Sequence, residues 1–127
     1  MNDDQYLAHC QALMSKFSTD LEKRTEKLDA EDSLRQLAVA FTALSASPDQ
    51  MYSQGLDLVT RLFTTYPDFA PSFPRDLLWF LGGDCLHYMP DDEIQQHQQL
   101  DEMRQEAAAS GEALDLTQAR ANLLKLQ

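Results

Sequence analysis

The sequence predicts an all-α fold, a compact bundle of five to six helices around a buried central helix, on three observations. Apolar residues recur at helical spacing, and nothing reads as a strand-turn-strand unit. Prolines and glycines fall between the periodic runs, where helix starts and stops need them. The segment from Pro71 to Pro90 holds the single tryptophan and the densest apolar run. At 127 residues the chain is read as a single helical domain, residues 1–127, long enough to bury a core without staples.

Taken in order, the first element runs from Asp4 to about Lys27. Tyr6, Leu7, Cys10, Leu13, Met14, Phe17, Leu21 and Leu28 form its apolar stripe, opposite a mixed-charge face of Lys16, Glu22, Lys23 and Glu26. A second helix is expected to open at Asp29, with Glu31 and Asp32 near its positive end, and to pair with the first through Leu34, Leu37, Ala38, Phe41 and Leu44. Ser47-Pro48-Asp49-Gln50 combines a serine cap, proline at the first position and glutamine at the third, the pattern of a helix start. The third helix then presents Met51, Leu58, Val59, Leu62 and Phe63 and ends near Tyr66-Pro67. The stretch 67–73 is expected to be stiff and extended, with Phe69 and Phe73 packed inward.

The central helix starts at Pro74, expected at the first helical position, with Asp76 at the positive end. Leu77 to Leu81 are all large and apolar, so most sides of this helix should be buried. Gly82 and Gly83 each cost about 1 kcal/mol relative to alanine inside a helix, so the pair needs a reason. One reason is a helix crossing so closely that only a hydrogen fits. The other is a break, with Asp84 capping a fresh turn that carries Cys85, Leu86 and His87. The close crossing is the reading adopted. Pro90-Asp91-Asp92-Glu93 opens a fifth, largely polar helix whose apolar stripe is Ile94, Leu100, Met103 and Ala107 to Ala109, with Gly111 as its stop. A last helix from about Asp115 offers Leu116, Ala119, Leu123, Leu124 and Leu126 for docking.

The formal net charge of −11 excludes the positive footprint that nucleic acid or an anionic membrane needs, and makes a basic protein the natural partner. Residues 90–112 hold seven acids against one base, about half of that excess. No run approaches the roughly 20 apolar residues that cross a bilayer. The start, with Asn2, Asp3 and Asp4, is the reverse of a basic leader, and Cys10 and Cys85 read as free thiols in a reducing, cytoplasmic compartment.

Two constellations carry chemistry. Glu93, His97 and Asp101 stand at i, i+4 and i+8 on one helix face, with His87 and Asp84 just upstream; imidazole and carboxylate together can hold a divalent transition ion. A di-metal bundle would repeat a Glu-x-x-His pair on a second helix, which this chain does not do, so a solvated polar face is the reading adopted. Asp84 and His87 flank Cys85 in a way that can activate a thiol. The plainer reading, also adopted, makes Cys85 a small buried apolar residue. Gly82-Gly83 follows no strand and has no downstream lysine, so it is not a phosphate cradle.

The run Leu78-Trp79-Phe80-Leu81-Gly82-Gly83-Asp84-Cys85-Leu86-His87-Tyr88-Met89-Pro90-Asp91-Asp92-Glu93-Ile94, with the tail from Ala119 to Gln127, resembles a small family of uncharacterised bacterial proteins. The resemblance implies a bacterial cytoplasmic protein and carries over no site residues. The functional reading is a non-enzymatic interaction or regulatory module with no cofactor, which self-associates through apolar residues left uncovered on the first helix and offers the acids of residues 91–106 to a basic partner. The alternative is a metal or small-ligand site near His87, Glu93 and His97.

Overall fold

The computed structural model describes residues 2–112 and 114–126, with side chains to Leu123. The side chains of Leu124 and Leu126, expected on the apolar face of the last helix, lie outside the described residues, as does Gln127. The fold is all-α: α1 (Asp3–Thr25), α2 (Ser33–Ser45), α3 (Met51–Thr65), α4 (Arg75–Leu81), α5 (Asp91–Ala109) and α6 (Leu116–Leu126), with 3₁₀ turns at Pro48–Gln50, Pro67–Phe69 and Gly83–Tyr88. No strand occurs among the described residues. Two compact units are distinguished, Cys10–Tyr88 and Met1–His9 with Met89–Gln127.

In the unit Cys10–Tyr88, α1 buries Cys10, Met14, Ser18, Leu21 and Thr25, a stripe one turn apart at each step. Leu28 lies beyond the end of α1 and is 41% exposed, so the expected stripe stops one turn earlier. Two interactions explain that stop. The Thr25 hydroxyl donates to the Leu21 carbonyl at 2.8 Å, and Arg35 Nη1 donates to the Glu22 carbonyl at 3.2 Å and to Thr25 Oγ1 at 3.3 Å. A cation on the last free carbonyls satisfies acceptors that the helix leaves unpaired and suits the negative end of its dipole.

Helix α2 opens at Ser33 and not at Asp29. Of the acids in this stretch, Asp32 is the one whose carboxylate accepts from the Leu34 amide, at 2.9 Å, and it fixes the start; the backbone carbonyl of Asp29 accepts from the Asp32 amide in the preceding turn. The Ser47 signal is also realised differently. Pro48 does stand at the first position, but of a 3₁₀ turn, Ser47 makes no side-chain cap, and α3 follows from Met51.

An aromatic cluster holds the unit together. Phe73 meets Phe17 and Phe63 edge-on, at 4.7 and 5.3 Å between centroids; Phe17 meets Phe41 at 5.3 Å, and Phe63 meets Tyr88 at 4.7 Å. Such edge contacts contribute roughly 0.5–1.5 kcal/mol each beyond area burial. Phe73 is thus inward as expected. Phe69 is only half-buried, with the Arg24 guanidinium 5.1 Å from its ring centre. The stretch 67–73 is coiled and not extended: the amides of Phe69, Ala70 and Phe73 each reach back three residues to a carbonyl.

The central helix α4 takes Pro74 as its cap, not its first helical residue, and buries Leu77, Leu78 and Leu81; Trp79 and Phe80 are half-buried. It ends at Leu81. Gly82 has φ 63° and ψ −149° and Gly83 has φ 52°, values that L side chains resist, and the 3₁₀ turn starts there. This corrects the close-crossing reading. A Cβ on Gly82 would have as its nearest neighbour only the Trp79 carbonyl of its own helix, 3.9 Å away. The tightest approach is at Gly55 of α3, where a Cβ would sit 2.8 Å from Leu81 Cδ2 and 3.7 Å from Leu44 Cδ2; at Gly83 it would sit 3.2 Å from Leu56 Cδ2.

In the unit of Met1–His9 with Met89–Gln127, Asn2 and Gln5 cap α1 reciprocally, each side-chain oxygen accepting from the other's amide at 2.8–2.9 Å. Pro90 caps α5, with Asp91, Asp92 and Glu93 in its first turn, as the dipole argument requires. Gly111, at φ 75°, ends α5: its amide returns to Ala108 and that of Glu112 to Ala107. Asp115 accepts from the Gln118 amide at 3.1 Å and starts α6, which buries Leu116 and Ala119.

Candidate functional site

The two sequence constellations are placed in different settings. In the unit Cys10–Tyr88, the glycine break turns Cys85 inward, completely buried, its amide donating to the Gly82 carbonyl at 3.0 Å. Burial first, then the charge of Asp84, push the Cys85 thiol up to about 11. It therefore stays protonated at neutral pH and is a poor nucleophile. His87 and Asp84 face solvent and approach to 3.9 Å, too far for a hydrogen bond. The buried-thiol reading describes this turn.

The face of α5 bearing Glu93, His97 and Asp101 is turned inward, which corrects the solvated-face reading. His97 is 7% exposed, and its Nδ1–H donates to the Glu93 carbonyl at 2.9 Å; Leu100 is buried one turn on. Asp101 accepts from Arg104 Nη2 at 3.3 Å, while Nη1 of the same guanidinium donates to Asp3 at 2.9 Å. The Arg104 guanidinium also lies 4.5 Å from the centre of the Tyr6 ring, a cation–π contact. Burial lowers the pKa of Arg104, but the bonds to Asp3 and Asp101 outweigh it and hold the group above its ordinary value. Asp101 thus belongs to a charged clasp between α5 and the first turn of α1 within this unit. Among the described residues, no three His, Cys, Asp or Glu side chains gather as a metal site would require.

A third feature has no motif in the sequence. Along α2 and α3 runs an open groove in two sections, of about 340 and 540 Å³, that share Ala40 and Arg61. Buried Leu37, Leu44, Leu58 and Leu62 join the helices below, while Ala40, Ala43 and Ser53 are too small to fill the space above. Asp57 and Arg61 stand one turn apart on the α3 wall, 3.8 Å apart and well exposed. They are the charged residues in the lining of either section. Val39, on the outer surface of α2, is 51% exposed.

The charge pattern of this face departs from that of the whole chain. Residues 33–66 contain Arg35 and Arg61 against Asp49 and Asp57, so they sum to zero within a chain of net charge −11. The charge-free run from Gln36 to Pro48 is the signal that could have located the groove.

The chain belongs to the PA2817-like family, whose model matches residues 2–127. That span contains both stretches on which the family resemblance rests. No curated protein and no solved structure matches the chain.

Proposed function

We propose that this member of the PA2817-like family is a cytoplasmic, non-enzymatic interaction protein that self-associates, and that the α2–α3 face is where copies meet. The supporting observation is the neutral, grooved surface on a strongly acidic chain. Two bodies of charge −11 repel each other wherever their acids face. They can approach through a patch without that excess, and interface centres are typically poor in charge. Small residues along the groove let backbones come near, and half-exposed Val39 gains by being covered. The protonated, buried Cys85 and the loose His87–Asp84 pair supply no activated nucleophile to favour an enzymatic reading. The acids of α5 that face outward are the place for a basic protein partner.

Native mass spectrometry, with sedimentation across a wide concentration range, tests this reading. A concentration-dependent dimer or higher oligomer is expected, and a monomer at every concentration would overturn it. The same spectrum reports any retained metal. Stoichiometric metal that disappears on His97→Ala would replace this reading with the metal-binding alternative.

A further inference from the structure

We infer that the second copy docks by a two-fold rotation that runs α3 antiparallel to its own counterpart, so that Asp57 of each copy pairs with Arg61 of the other. The inference rests on the self-association reading and specifies its geometry. Its starting point is the pair itself. At 3.8 Å, with side chains 62% and 75% exposed, Arg61 and Asp57 are loosely joined within the helix and remain available. An exposed pair of this kind holds its own helix by only about 0.3–0.5 kcal/mol, so exchanging partners sacrifices little.

Charge then selects the alignment. A two-fold axis midway between positions 57 and 61 sets Asp57 against Arg61 twice over, and places Gln54 opposite Thr64 and Ser53 opposite Thr65. Ser53, Gln54, Thr64 and Thr65 are all exposed, uncharged and able to hydrogen-bond. A parallel alignment would set Asp57 against Asp57 and Arg61 against Arg61, which repels. Ala40 and Ala43 leave the depth into which the aliphatic stem of the second copy's Arg61 fits. Because each copy presents the same patch, the contact closes on itself and yields a dimer, not a filament.

Charge reversal provides the test, read by sedimentation or light scattering with full-length protein. Asp57→Arg and Arg61→Asp should each weaken the dimer by at least roughly tenfold, since like charges then meet at both contacts. An equimolar mixture of the two should recover a heterodimer. The double variant Asp57→Arg with Arg61→Asp should dimerise with itself and not with the wild-type chain. Both positions are exposed, so melting temperatures measured where the wild type is monomeric should be unchanged. If the wild type is a dimer and these variants dimerise as it does, the proposed alignment is wrong while self-association stands. A wild type that is monomeric throughout overturns both.

Discussion

Gly55 and the Gly82-Gly83 pair are both built on the absence of a side chain, and for opposite reasons. Gly55 lies inside α3 at ordinary helical angles, and what it excludes is volume: Leu81 Cδ2 occupies the place a Cβ would claim. Gly82 has room around it and backbone angles that a side chain would oppose. One glycine makes α3 and α4 fit together; the other makes α4 stop, so that the 3₁₀ turn can carry Cys85 back into the core. The difference teaches that a glycine's role is read from its neighbours and angles together. A doublet in an apolar run signals importance without saying which kind.

Enlarging the two sites separates them. At Gly55 the loss should grow with size. Alanine gains about 1 kcal/mol of helix propensity, which offsets the displacement of the flexible end of Leu81. Leucine must force α3 and α4 apart, at the upper end of the roughly 1–3 kcal/mol typical of overpacked cores. Denaturant titration of Gly55→Ala and Gly55→Leu measures both, and equal stabilities would contradict the tight-contact account of Gly55. This is the largest effect expected.

At Gly82 the whole loss should appear with the first carbon. Its φ of 63° with ψ of −149° is close to a region that is essentially glycine-only and costs on the order of 1–3 kcal/mol to enter with a side chain. The nearest non-neighbouring atom to a Cβ is 3.9 Å away, an ordinary contact, so the first carbon meets no clash and the loss comes from the backbone angles. Gly82→Ala and Gly82→Leu should therefore be destabilised alike. A leucine variant markedly worse than the alanine one would restore the close-crossing reading at this position.

These glycines also show what was legible in the sequence. Helix number and type could be read because apolar spacing, Pro90 and Gly111 act locally, within a turn or two of the residues that carry the signal. The start of α2 falls after Asp32 and not at the expected Asp29, because Asp29, Glu31 and Asp32 can each cap and only the conformation shows that Asp32 does. Gly55 carries no local signal of its role, since its partner Leu81 is 26 positions away. His97 reads as solvated because its flanking glutamines and acids make α5 largely polar, although Ile94 and Leu100, three residues to either side, place it on the sparse apolar stripe that marks the buried side. The groove is hard to see in the sequence for a related reason: this face is defined by where charge is absent, not by where it accumulates.

Gly83 provides the smallest and most discriminating effect. Its φ of 52° lies in the left-handed range that asparagine enters more readily than other side chains, because its short amide can bond to nearby backbone. A Cβ here would lie 3.2 Å from Leu56 Cδ2, the free end of a half-buried side chain that can yield by a few tenths of an ångström. Gly83→Asn should therefore lose less than about 1 kcal/mol, whereas Gly83→Val, β-branched and without the amide, should lose more. Gly82→Asn should show no such relief, since its ψ places it outside the left-handed helical well where asparagine is tolerated. Thermal melting of the three variants decides the matter. Asparagine tolerated at Gly83 but not at Gly82 is the pattern expected of two glycines that serve backbone angle; equal losses at both would mean that the doublet is held by something other than its dihedral angles.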